Sequence, residues 1–200
     1  MGERLKGDER RRVIIDAALA LFSTKGFRGT TTKEIATAAG CSEATIFKYF
    51  ASKDELYSAI LEVKATIEET LARAAEAATR RDDVGVFRAV GLEALTRTEQ
   101  DPALMRLLLF SALEGHELSH RFFESQVWRL HEFLSDYIAQ RIADGIFRPV
   151  NPLLAARGFV GMIVHYLLIH EIFGVKRPVG ILAEEVVDTF VSLFVSGIRR

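Results

Sequence analysis

The sequence predicts an all-α protein. Three observations carry this: apolar residues recur at helical spacing, no stretch alternates with period two for long, and capping residues or glycines bound each periodic segment. The chain holds only four prolines in 200 residues. Two of them, Pro102 and Pro152, follow Asp101 and Asn151, which places a capping side chain just before a proline at the first helical position.

Ile14, Ala17, Ala18, Leu21 and Phe22 form the one-sided face of a first helix, and Gly26 is placed to end it in the left-handed conformation. Thr31 and Glu34 have the spacing of a capping box, after which Ile35, Ala36 and Ala39 give a second helix its inner face as far as Gly40. Ser42 caps a third helix of about two turns, with Ile46 and Phe50 inward. Ser52 and Glu55 form a second capping box that opens a fourth. Leu56, Ile60, Val63, Ile67, Leu71 and Ala74 keep the helical period, so the fourth helix is expected to run nearly to Thr79. Beyond the polar break Arg80-Arg81-Asp82-Asp83, five more helices are expected near 84–98, 102–114, 117–144, 151–173 and 181–197. Gly145 and Gly174 stand at helix ends.

With 49% hydrophobic residues the chain has ample material for a core. Its longest apolar run, Phe159 to Ile169, is interrupted by His165 and reads as too short for a bilayer, so a cytoplasmic protein without a membrane partner is expected. The lone Cys41 allows no internal disulfide or zinc cluster. Net charge is −1, but it is unevenly spread: residues 1–53 carry 10 Lys/Arg and 6 Asp/Glu, and residues 54–200 carry 16 and 21. The positive excess coincides with the short helices.

Gly40-Cys41-Ser42 is too short a link for an antiparallel hairpin and suits two helices crossing steeply. The outward face of the third helix then shows Ser42, Glu43, Ala44, Thr45, Phe47, Lys48 and Tyr49. Such a small helix with small residues at its front fits the major groove of DNA. A plain three-helix core with a solvated surface is the alternative. Residues 10–56 resemble the N-terminal domain of the tetracycline-repressor (TetR) family. The features that carry the resemblance are Gly26-Phe27, the threonines 31 and 32, the Tyr49-Phe50 pair and Ser52-Lys53-Asp54-Glu55-Leu56, in that order and spacing. The resemblance implies that Thr31 meets a phosphate at the start of helix two, that Thr45 and Tyr49 grip the backbone, and that Lys53 meets a phosphate. Glu43, Ala44 and Phe47 would face bases, with Glu43 accepting from a cytosine N4 and Ala44 or Phe47 resting on a thymine methyl. Thr32, Ser42 and Lys48 complete the candidate DNA-binding set. Phe47 stands where tyrosine is usual and Glu43 where a neutral or basic residue is commoner, so no relative's operator transfers. Arg4, Lys6, Arg10, Arg11 and Arg12 suggest either a DNA-binding arm or a solvated tail.

The chain divides on this reading into a helix-turn-helix domain, 1–53, and a ligand-binding and dimerisation domain, 54–200. The last helix has a narrow polar stripe and the 151–173 helix is apolar on more than one side, which suggests a four-helix interface between two subunits rather than a fully buried pair. Gly161, Tyr166, Ile169, Phe173, Val187, Phe190, Val191 and Phe194 are the candidate homodimer residues. The resemblance implies a palindromic double-stranded DNA operator, repression as the usual mode, and a small effector that tilts helix four. A coupling of ~1–3 kcal/mol would change affinity some 5- to 150-fold. Met105, Leu109, Phe110, Trp128, His131, Phe159, Met162 and His165 are candidate effector contacts, each also readable as plain core, and they suggest a largely apolar ligand. No cofactor is implied.

His116-Glu117-Leu118-Ser119-His120 matches the H-E-x-x-H pattern of zinc peptidases and supplies the enzymatic alternative. Gly115 precedes it where a helix should stop. Phe123 and Gln126 replace the glycine and third histidine of the extended pattern. A DNA-binding regulator that is not an enzyme is therefore the expectation.

Overall fold

The structure, a computed structural model, describes residues 7–176 and 180–200. Arg4 and Lys6 lie outside the described residues. All regular elements among the described residues are helical, with one isolated antiparallel bridge between Phe147 and Arg199. The backbone packs as two compact units: one holds the described residues up to Thr66 together with Ala103–Phe123, the other Ile67–Pro102 with Glu124–Arg200. The expected division fell at residue 53 instead, before helix four.

The first unit contains α1 (Gly7–Lys25), α2 (Thr32–Ala38), α3 (Glu43–Tyr49), α4 (Lys53–Lys64), α7 (Ala103–Leu113) and α8 (Glu117–Phe122). Helix α1 buries Ile14, Ile15, Ala18, Leu19 and Phe22 and closes at Gly26, whose φ is +74°. The positive φ is what favours glycine there, and a Cβ would also lie 2.5 Å from Glu114 Oε1, displacing that carboxylate. Because α1 starts at Gly7, Arg10, Arg11 and Arg12 are helical residues, not an extended arm. Arg10 donates to the Ala39 carbonyl at 3.3 Å and Arg11 lies over the Phe50 ring. Helix α3 is far too short to persist alone in water. Ile46 and Phe50, each 1% exposed, anchor it, and each full burial contributes roughly 1.5–3 kcal/mol.

The fourth helix does not run to Thr79. Helix α4 stops at Lys64, and α5 (Glu68–Thr79) begins after Ala65, Thr66 and Ile67, with Ala65 at φ −111°, ψ 20°. Apolar spacing is the same on either side, so periodicity passes over the break. The β-branched pair Thr66-Ile67 is the local weakness, since both lose rotamer freedom in a helix. The junction between the two compact units falls between these two residues.

The second unit contains α5, α6 (Asp83–Gln100), α9 (Trp128–Ala143), α10 (Pro152–Leu167) and α11 (Ala183–Ile198). Single π-helical turns occupy Phe123–Val127 and Leu168–Ile172. Phe87 centres the core, with the Phe194 ring at 4.8 Å and the Phe159 ring at 5.0 Å. At Gly91 a Cβ would come within 3.0 Å of Val187 Cγ1, so a glycine allows the close approach of α6 and α11. One buried carboxylate joins three parts of the unit. Asp83, 4% exposed, accepts from Arg141 Nε at 2.7 Å, Tyr137 Oη at 2.7 Å and Arg199 at 3.0 Å. Burial alone would raise its pKa, but these donors outweigh burial and hold the carboxyl below its ordinary range. The Asp83 bond in turn raises Arg141, and burial raises Tyr137.

Two expectations about the second unit change. Helix α11 shows Glu184, Glu185, Asp188, Thr189, Ser192 and Ser196 outward and turns most of its apolar side inward. Val187 and Val191, expected at a subunit interface, are at most 1% exposed within the single chain, and Phe194 packs on Phe87 and Phe159. The inward turn follows from Phe87, Phe159 and Gly91, which offer that side of α11 a surface within the unit. The helix from Pro152 to Ile172 also exceeds the expected apolar run. Its 21 residues have a best-window mean hydropathy of 1.6, long and apolar enough to cross a membrane by length and composition.

Candidate nucleic-acid interface

The sequence-predicted reading face is built from two capped helices. Thr31 caps α2 and forms both halves of the capping box: Glu34 N donates to Thr31 Oγ1 at 3.2 Å, and Thr31 N donates to Glu34 Oε2 at 2.8 Å. Lys25 reaches the same carboxylate at 2.7 Å. The Lys25 contact first, then the Thr31 bonds, lower the Glu34 pKa from 4.5 to about 2. A depressed carboxylate stabilises the fold above its unfolded value and loses that contribution as pH falls through the folded one. The α2 cap is thus intact above pH 4.5 and lost towards pH 2. A carboxyl-carbon NMR titration is expected to place the Glu34 midpoint near 2 and to move it upward in Lys25→Met. A midpoint near 4.5 in the unmodified protein contradicts this.

Ser42 caps α3 by accepting from Thr45 N at 3.2 Å, and its hydroxyl pairs with Thr45 Oγ1 at 2.8 Å. Glu43, Ala44, Phe47 and Lys48 are exposed, Phe47 to 50%. Thr45 and Tyr49 are half-buried, and Tyr49 packs on the first unit's core. Thr32 Oγ1 donates to Glu43 Oε1, a bond from α2 to α3 across the turn. Lys53 is held inside the fold: its ammonium donates to the carbonyls of Phe27 at 2.7 Å and Thr30 at 2.9 Å, over the Phe27 ring. Spent on two carbonyls, it sets the α1–α2 loop beside Thr31 and has one N–H left for a phosphate.

Residues that spacing did not single out hold the same loop from the other side. Glu114, just after α7, accepts from Phe27 N at 3.1 Å and Arg28 N at 3.3 Å. Tyr57 donates to Ser111 Oγ at 2.7 Å in a buried pair, and burial raises the tyrosine pKa. These partners lie 54 and more residues apart in the chain, and no local pattern announces them. Lys33, exposed on the first turn of α2, was legible as a basic residue beside the cap and was not selected.

The H-E-x-x-H pair does not lie on one helix. Gly115 has φ +66° and α8 begins at Glu117, so His116 precedes the helix that carries His120. The His116 ring stacks on Tyr57 with centroids 5.4 Å apart and meets Phe27 edge-on at 4.1 Å. Its Nε2 is 3.3 Å from Asp54.

The candidate effector residues divide between the units. Met105, Leu109 and Phe110 belong to α7 in the first, while Trp128, His131, Phe159, Met162 and His165 belong to the second. Phe159 is fully buried in the aromatic core and His165 is exposed. His131 is 5% exposed, and burial, then the nearby Arg157, lowers its pKa. Arg157 also lies over the Trp128 ring at 5.6 Å. Of the candidate dimer residues, Gly161 and Phe173 are exposed, and Tyr166, Ile169 and Phe190 are half-buried.

Fold and reading face together define a helix-turn-helix protein. A family model described as bacterial regulatory proteins, tetR family, matches residues 14–60, and one described as AefR-like transcriptional repressor, C-terminal domain, matches residues 86–197. The chain belongs to the tetracycline-repressor family of transcriptional regulators and is a regulator, not an enzyme. It is 28% identical over 185 residues to the helix-turn-helix-type transcriptional regulator YvkB of Bacillus subtilis (strain 168), covering 92% of this chain and 95% of that protein. The crystal structure of AibR in complex with isovaleryl coenzyme A and operator DNA aligns with TM-score 0.69 and 25% identity, over 92% of this chain and 97% of that one. The ketosteroid regulator KstR2 of Mycobacterium tuberculosis shares the fold, with TM-score 0.73 at 21% identity over 98% and 97%. The apolar helix Pro152–Ile172 lies inside the matched C-terminal repressor domain.

Proposed function

We propose that this regulator is a ligand-responsive repressor that binds a palindromic operator as a homodimer and is released by a small, largely apolar effector. The observation that carries the DNA half is the exposed face of α3, Glu43, Ala44, Phe47 and Lys48, set on two side-chain-capped helices. Thr31, Thr45 and Tyr49 would position this face against the phosphates, with Lys53 bracing the loop behind Thr31. We assign the helix-turn-helix role to residues 1–53 and effector binding and dimerisation to 54–200. The protein then meets its DNA in the cytoplasm.

The dimer half rests on α10. Leu154 is 64% exposed, Val164 is 40% exposed, and Gly158 and Gly161 stand exposed between them. A Cβ on either glycine would meet nothing within 4 Å in the single chain, so packing within the chain does not require them. This face also carries the exposed Arg157 and His165, and its two glycines leave room for another helix at close range.

For the effector, the structure of AibR with isovaleryl coenzyme A and operator DNA together suggests a short branched acyl group, the apolar end of that ligand, as the first class to try, free or as its thioester. The test is nuclease footprinting upstream of the chain's own gene, repeated with isovaleryl coenzyme A and with free isovalerate. Two protected half-sites about one helical turn apart, or a multiple of it, are expected. An added acyl thioester is expected to clear them. Protection of a single half-site contradicts the dimer, and protection unchanged by the thioester and by the acid removes this effector class.

A further inference from the structure

We propose that Thr32 aims Glu43 at a cytosine in each half-site, making this pair a specificity determinant of the reading face. The inference rests on the operator-binding reading above and adds the residue that fixes the Glu43 carboxylate for its base. Glu43 is the first residue of α3 and is exposed beside Ala44. Its Oε1 accepts from Thr32 Oγ1 at the start of α2, and no other residue among those described bonds the carboxylate. The side chain is thereby held in one place, with Oε2 left as an acceptor.

A carboxylate offers only acceptors. Brought against a polyanion it is repelled by the phosphates unless it receives a proton donor. The major groove presents two base donors, cytosine N4 and adenine N6. Adenine carries its N7 acceptor next to N6, which repels the second carboxylate oxygen, whereas cytosine presents N4–H₂ as its sole major-groove hydrogen-bonding group. A fixed carboxylate therefore selects cytosine. Thr32 acts as a positioning residue: it need not touch DNA, and it removes the rotamers that would let Glu43 swing away from the groove.

The experiment is selection from a pool of randomised duplex DNA, with the bound fraction sequenced, for the full chain and for Glu43→Gln, Thr32→Val and Thr32→Ser. Wild type is expected to enrich cytosine at one position per half-site. Glu43→Gln is expected to turn that position to adenine, since an amide can pair with both N6 and N7. Thr32→Val should broaden the position, and Thr32→Ser, which keeps the hydroxyl, should retain it. Single-base variants of the selected site, titrated with wild type, should lose roughly five- to twentyfold at that position. Circular dichroism melts of the four proteins should coincide. If Glu43→Gln or Thr32→Val selects the wild-type sequence, the inference is overturned while operator binding stands. If wild type enriches nothing, operator binding itself falls.

Discussion

Asp83→Ala is expected to cost about 3–5 kcal/mol of stability, the range for removing one partner of a buried ion pair. The size follows from what is left behind. Asp83 is the shared acceptor for Arg141, Tyr137 and Arg199, and Arg141 is itself buried. Alanine leaves the Arg141 guanidinium with Asp144 alone, on the Nη1 side at 2.9 Å, and leaves a buried hydroxyl without its acceptor. It also frees the C-terminus, where Arg148 N donates to the Ile198 carbonyl at 2.8 Å and Arg200 N to the Ile146 carbonyl at 3.0 Å. Because the folded carboxyl is held below its ordinary range, the contribution is complete above that range and declines as pH falls. Urea unfolding at pH 7 and at pH 3, below the ordinary value of 3.8, should show wild type losing stability on acidification more steeply than the variant. A cost below about 1 kcal/mol at pH 7 contradicts the account of the network.

Gly161→Arg is expected to leave the single chain as stable as before and to lower operator affinity about 100- to 10,000-fold. The first half follows from helix propensity: a glycine inside α10 costs roughly 0.5–1 kcal/mol relative to better helix formers, and no atom lies where the new Cβ would go. The second half follows from linkage. Two reading faces joined in a dimer bind two half-sites with an effective concentration that a monomer lacks, which is worth two to four decades without any new contact. A long arginine at the central glycine of this face would fill the space for close helix approach and add a second cation beside Arg157, and both would have to be buried for the dimer to form. Sedimentation should give a dimer for wild type and a monomer for Gly161→Arg, with the variant still melting cooperatively and at a temperature that no longer depends on protein concentration. A variant that stays dimeric shows that the interface lies elsewhere.

The short helices were legible because their signals are local. Thr31 with Glu34, Ser42 with Thr45 and Ser52 with Glu55 lie three residues apart, and each cap hydroxyl accepts the backbone bond its spacing implies. The second expected capping box is half formed, because Glu55 accepts from Ala51 N and not from Ser52 N. Gly26, Gly40, Gly145 and Gly174 all take the positive φ expected at a helix end. What was missed depends on partners distant in the chain. The break at residues 65–67 leaves no mark in the apolar period, and whether Val187 and Val191 face their own unit or a second subunit cannot be read from α11 alone. The candidate DNA residues were likewise named as a set, but the assignment of Lys53 to the Phe27 and Thr30 carbonyls required the folded loop.

The measurement that tests the central claim most directly is fluorescence anisotropy of the purified protein with DNA from upstream of its own gene, across a salt series, with Tyr49→Ala alongside. The expected result is saturable binding that favours that DNA over an unrelated duplex. Affinity should fall steeply with salt as counterions are released, and Tyr49→Ala should weaken binding to both duplexes. Equal affinity for both duplexes, unchanged by the substitution, would contradict the assignment of α3 as a reader of DNA.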